Sequence, residues 1–221
     1  MNEQGAATLV PSGRYDAAAG EMSFRTNHFS TYAVTSAKPR FEDLGSTPWA
    51  QQPIEALAAK GIIDGVSDSA FNPGASITRG DFTKLLVGAL SLTSASGAAF
   101  EDVTPADYYY EAVGTSRTLG IVNGTSERRF EPQALVTRQD MFVMIARALE
   151  QTGKKLPPSA KASLSGILDQ EDIAAYAADA ISALFKEGLI EGSAGKLHPQ
   201  QSSTRAEASV MLYRVFKYVN P

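Results

Sequence analysis

The sequence predicts a mainly α protein: three helix–loop–helix repeats sharing one core, with a short β segment ahead of them. Three observations carry this. The pattern Thr-Arg-x-acid occurs three times, at Thr78-Arg79-Gly80-Asp81, Thr137-Arg138-Gln139-Asp140 and Thr204-Arg205-Ala206-Glu207. Each copy opens a run whose apolar residues recur at spacings of three and four, the signature of an amphipathic helix. The segments leading into the first two copies align at one constant offset without a gap: Phe41 with Phe100, Asp43 with Asp102, Trp49 with Tyr108, Gly61 with Gly120, Gly65 with Gly124, Phe71 with Phe130 and Pro73 with Pro132. A helix pair cannot bury its apolar face alone, whereas three pairs share a core.

Taken in order, residues 1–34 differ from the rest. Residues 10–16 and 21–26 read as two short strands around a turn at Ala19-Gly20, and 29–34 offer a third. So short a β segment cannot stand alone, so 1–34 is expected to be the end of a preceding β domain, joined by a linker at 35–40 to a domain spanning 41–221. The repeats cover about 41–90, 100–150 and 167–219, and the polar stretches 91–99 and 154–166 connect them. The first helix of each copy runs over 48–60, 106–119 and 172–187. Pro48 suits a first helical position, and Gly61, Gly120 and Gly188 suit the position just past the end. A tight loop follows, in which Asp64-Gly65 and Asn123-Gly124 favour positive φ. Phe71, Phe130 and Leu197 then return to the core. The second helix starts at Thr78, Thr137 or Thr204. Asp81, Asp140 and Glu207 three residues on complete a capping box, so these six residues are read as structural caps. The third copy is looser, matching through Asp169, Tyr176, Gly188, Gly192, Leu197, Pro199 and Thr204 with one insertion and one deletion.

Bulk properties narrow the function. A formal net charge of −4 argues against a nucleic-acid backbone as partner. No apolar run is long enough to span a membrane. The N-terminus shows no signal-peptide pattern, so the chain is expected to be either cytoplasmic or a piece of a longer protein. With no cysteine and two histidines, His28 and His198, there is little material for a metal centre, a thiol nucleophile or a Ser-His-Asp triad. Asp64 to Asp68 lacks the alternating oxygen ligands of a calcium loop. No catalytic residue, metal or cofactor is expected.

The arginines are the anomaly. Arg79, Arg138 and Arg205 each take the first helical position, where the helix dipole disfavours a cation. An anion held jointly by the guanidinium and the free N–H groups of the first turn accounts for that choice.

With its Phe-x-Asp opening (Phe41-Glu42-Asp43, Phe100-Glu101-Asp102), Trp49-Ala50 helix start, Gly61-to-Gly65 turn, Phe-x-Pro return and Thr-Arg-Ala-Glu tetrapeptide, verbatim at Thr204–Glu207, the chain resembles the S-layer homology family from about Phe41 to the C-terminus. Residues 1–34 also resemble the end of an Ig-like module. The resemblance implies a pseudo-threefold, three-pronged spindle with a central helix bundle, formed by a single chain. It implies non-covalent anchoring of a Gram-positive cell-surface protein to a secondary cell wall polysaccharide or a peptidoglycan-linked glycan. The group recognised is expected to be a pyruvate ketal on N-acetylmannosamine, whose planar carboxylate suits the planar fork of arginine.

On that reading the inter-repeat grooves bind carbohydrate. Arg79, Arg138 and Arg205 contact the anion, and Trp49, Tyr108 and Tyr176 stack on the sugar ring. Asp43, Asp102 and Asp169 accept sugar hydroxyls, and Gly65, Gly124 and Gly192 let the backbone approach the ligand. The rival readings are a wall-polysaccharide-processing enzyme, which would need two carboxylates facing each other across a cleft, and a protein-binding structural repeat.

Overall fold

In the computed structural model, residues 9–16, 18–24, 26, 30–34, 39–95, 100–157 and 164–221 are described. Six α-helices dominate them: α1 (Pro48–Ala59), α2 (Arg79–Leu90), α3 (Tyr110–Thr118), α4 (Arg138–Gln151), α5 (Ala178–Lys186) and α6 (Arg205–Val219). A two-stranded antiparallel hairpin, β1 (Arg14–Asp16) and β2 (Glu21–Ser23), precedes them. Residues 30–34, part of the expected third strand, form none, and Phe29 lies outside the described residues. The linker residues 35–38, the connector residues 96–99 and 158–163, and His28 also lie outside them.

The second helices begin where the sequence places them. Thr78, Thr137 and Thr204 are extended, and each hydroxyl oxygen accepts the backbone N–H three residues on, from Asp81, Asp140 and Glu207. Only at Thr204 is the box complete, because only the longer Glu207 side chain reaches back to the Thr204 N–H, at 2.8 Å. Two of the first helices start later than expected. α1 has Pro48 to fix its first turn. In the second copy the Asp107 carboxylate takes the Thr104 N–H and hydroxyl, so a separate turn forms and α3 begins only at Tyr110. In the third a 3-10 turn at Gln170–Asp172 comes first, and α5 begins at Ala178.

Gly61, Gly120 and Gly188 lie at positive φ past their helices, as C-terminal caps. Gly124 also has positive φ, whereas Gly65 does not. Space explains the glycine there. A Cβ on Gly65 would stand 2.5 Å from the Ser67 carbonyl oxygen and 2.6 Å from the Phe41 ring. At Gly124 the Arg129 carbonyl and the Phe100 ring would be as close.

Packing links each copy to the next. The first helix of one copy lies on the second helix of the copy before it: α3 on α2, α5 on α4 and α1 on α6. Backbone hydrogen bonds follow the same order. Arg79 and Gly80 N–H donate to Ala134 and Pro132, Arg138 and Gln139 to Gln201 and Pro199, and Arg205 and Ala206 to Ala75 and Pro73. First copy grips second, second grips third, and third grips first, so the ring of contacts closes. Phe71, Phe82, Phe130, Phe142, Leu86, Ile145, Leu197 and Leu212 are fully buried in the shared core.

The N-terminal segment rests on this body. The Lys60 ammonium, at the end of α1, donates to the carbonyls of Pro11 (3.2 Å) and Gly13 (2.7 Å) and sits over the Phe216 ring. Burial there lowers its pKa. Arg14 donates to the Pro221 carbonyl.

Candidate functional site

The repeated arginines point away from solvent and into the next copy. Arg79 Nε donates to the Phe130 carbonyl (3.1 Å), Arg138 Nε to Leu197 (2.8 Å) and Arg205 Nε to Phe71 (3.0 Å). The guanidinium planes of Arg79 and Arg205 lie over the rings of Phe130 and Phe71, at 4.8 and 4.5 Å. Arg79 and Arg138 also face the capping acid of the neighbouring copy, with Nη1 3.9 Å from Asp140 and 3.6 Å from Glu207. The Arg205 Nη2 donates to the Asp64 carbonyl (2.9 Å). Side-chain exposure is 13% for Arg79 and 14% for Arg138, and the accessible part of each lines a surface cavity. Burial lowers the pKa of Arg138 and of Arg205, and neighbouring carboxylates partly restore it.

The aspartates expected to meet sugar hydroxyls are instead occupied within the fold. Asp43 accepts the N–H groups of Phe71 and Asn72, Asp102 those of Phe130 and Glu131, and Asp169 those of Leu197 and His198, all at 2.6–3.1 Å. The second residue of each pair has φ between 53° and 58°, a left-handed conformation that costs energy for a side chain larger than Gly or Asn. The carboxylate holds this turn, and the turn aims the Phe71, Phe130 or Leu197 carbonyl at the arginine. Burial pushes the three aspartate pKa values up, but the backbone N–H donors outweigh it and hold them below 3.8. Sequence alone does not show the left-handed residues, since Asn72, Glu131 and His198 share no residue type.

The aromatics at the first helices are exposed: Trp49 55%, Tyr108 63% and Tyr176 58%. Core packing therefore does not explain them. Tyr108 and Tyr176 donate their hydroxyls to Asp81 and Asp140, so those capping acids also face the surface groove. Burial and the Asp140 hydrogen bond push the Tyr176 pKa up to about 12.

Each groove draws on all three copies. One, of about 480 Å³, is lined by Arg79 from the first, Asn123, Gly124, Thr125, Asp140 and Arg147 from the second, and Tyr176 from the third. Another, of about 230 Å³, brings together Arg138, Trp49, Gly192, His198, Glu207 and Arg214. Around Arg205 the corresponding groups are Asp64, Asp81, Lys84 and Tyr108; Lys84 lies 3.9 Å from Asp64 and 5.2 Å above the Tyr108 ring. Gly124 and Gly192 expose backbone to these cavities, and neither has room for a Cβ. Arg147 and Arg214 were not among the sequence candidates. Their signal was available: each follows the repeat arginine by the same number of residues, where the first copy has Gly88.

Comparison with known proteins agrees with the repeats. The family model described as "S-layer homology domain" matches at residues 40–83, 99–142 and 167–209, more than half of the chain. The chain is 28% identical over 203 residues to an amylopullulanase of Thermoanaerobacterium thermosulfurigenes, covering 91% of this chain and 11% of that protein. It is 30% identical over 182 residues to an endoglucanase of Bacillus sp. (strain KSM-635), 79% of this chain and 19% of that protein. A surface-layer 125 kDa protein of Lysinibacillus sphaericus is 27% identical over 176 residues, 78% of this chain and 14% of that protein. The chain thus spans less than a fifth of each of these relatives.

Proposed function

Because the chain belongs to the S-layer homology family, we propose that it is a non-covalent anchoring module that holds a surface protein to the cell wall. Its ligand in this reading is an anionic, pyruvylated secondary cell wall polysaccharide. The observation that carries the reading is the recurrence of one composite groove: an exposed aromatic from one copy, a cationic fork from a second, and a capped helix start with a glycine-lined loop from a third. An exposed aromatic face suits the apolar face of a pyranose, and a guanidinium edge suits a carboxylate. Asp43, Asp102 and Asp169 shape the groove rather than contact the sugar, while Gly124 and Gly192 let the backbone approach it. Several grooves facing a repetitive polymer give avidity from modest individual affinities.

The activities named in the amylopullulanase and the endoglucanase belong, in this proposal, to the parts of those proteins that this chain does not match. Among the described residues no helix is long and apolar enough to cross a membrane, and attachment is assigned to the wall polymer. Competition tests the reading: methyl N-acetylmannosaminide carrying a 4,6-pyruvate ketal should release the protein from purified wall material. Release only by another protein, and not by the sugar, would favour the protein-binding alternative.

A further inference from the structure

We infer that the three grooves are unequal and that Arg147, in the groove between α4 and the start of α5, is the principal contact for the ligand's carboxylate. The inference deepens the wall-binding reading and rests on it. Charge matching separates the grooves. In the Trp49 groove both cations are paired: Arg138 with Glu207, and Arg214 with Glu191 at 3.1 Å. Around Arg205, Lys84 faces Asp64, Tyr108 donates to Asp81, and Arg205 donates to two carbonyls.

In the Arg79 groove, Asp140 is the one acid in the cavity lining, and it faces Arg79 and Tyr176. Arg147 remains. Its recorded partner is the Ile121 carbonyl, reached by Nη1 at 3.3 Å, and no carboxylate among the described residues forms an ion pair with it. A half-buried guanidinium with donors left over, beside an exposed tyrosine ring, is a receptor for a planar anion. The site also has room for more than a single sugar. Arg147, Tyr176 and Val143 line both this cavity and an adjoining one of about 360 Å³, whose wall includes Leu156, Pro157 and Ala180 with the acids Glu150 and Asp179, neither of which forms an ion pair with Arg147. Arg147 thus stands at the junction, where the charged residue of a longer chain would sit.

The test is calorimetric titration of the full chain with methyl 4,6-O-pyruvyl-N-acetylmannosaminide and with its neutral methyl ester. Wild type should prefer the acid, and Arg147→Gln should weaken acid binding about 10-fold or more while leaving ester binding little changed. Arg214→Gln should lose about threefold or less. Equal losses in the two variants, or no loss in Arg147→Gln, would overturn the inference while leaving wall binding intact. A wild type that binds neither probe would overturn both. Should Arg147→Gln fail to fold by circular dichroism, Arg147→Lys decides: folded and weaker for the acid supports the assignment, and unchanged affinity refutes it.

Discussion

A cation at a helix N-terminus is unfavourable, and the three repeat arginines sit there because of what lies across the interface. Each Nε caps a carbonyl of the neighbouring copy, and for Arg79 and Arg138 a neighbouring carboxylate offsets the dipole. Arg138→Ala is therefore expected to leave the Leu197 carbonyl and Glu207 without their partner, costing about 1–3 kcal/mol, or roughly 3–10 °C in melting temperature. An unchanged melting temperature with lost wall binding would assign the arginine to the ligand alone. The aspartate staples make a pH prediction. Folding depresses the pKa values of Asp43, Asp102 and Asp169, so their contribution is complete above the ordinary value of 3.8 and is lost as pH falls through the lower folded-state values. Thermal stability should thus decline steeply below about pH 4, and Asp102→Asn should flatten that decline; an unaltered acid limb would count against the staples. The Thr caps were legible in the sequence because their partners are three residues away. The arginine's partner lies as many as 134 residues away, and a local pattern cannot name it.

At the scale of elements, local chemistry set most boundaries and competing local chemistry moved two. α2, α4 and α6 start at their threonines, and α1 starts at its proline. α3 and α5 were shortened because Asp107 and a 3-10 turn at Gln170–Asp172 claim the backbone first, and neither helix has a side-chain cap. Thr137→Ala should cost about 0.5–2 kcal/mol by removing the cap of α4, read as a lower urea midpoint at unchanged slope. Gly124→Ala should cost more, since an added methyl meets a carbonyl oxygen at 2.5 Å at a residue whose φ is +75°. Far-UV and near-UV dichroism should show that loop disturbed; a variant as stable as wild type would show that the loop yields. The exposed aromatics were recognised as candidates from their repeat position, but exposure itself is a tertiary property. The pattern common to all three copies does not mark Arg147, because the first copy has Gly88 at the same position.

For the whole molecule, the repeats were plain in the sequence, whereas the closed ring of contacts was not. The ring predicts cooperativity, because the third copy returns to the first through Arg205 and α1 packs on α6. A fragment ending at residue 157 should lose far more than a third of its helical signal and melt without a sharp transition. A cooperative two-copy fragment would show that neighbouring copies suffice. Grooves assembled from three copies should disappear with the ring, so the proposed wall binding should be lost together with the fold. The most direct test of that binding is co-sedimentation of the intact chain with purified cell walls, before and after acid removal of pyruvate ketals under conditions that leave the polymer attached. Saturable binding that drops at least about tenfold with the pyruvate is the result expected, and binding unaffected by its removal would contradict the assignment of an anionic sugar to these grooves.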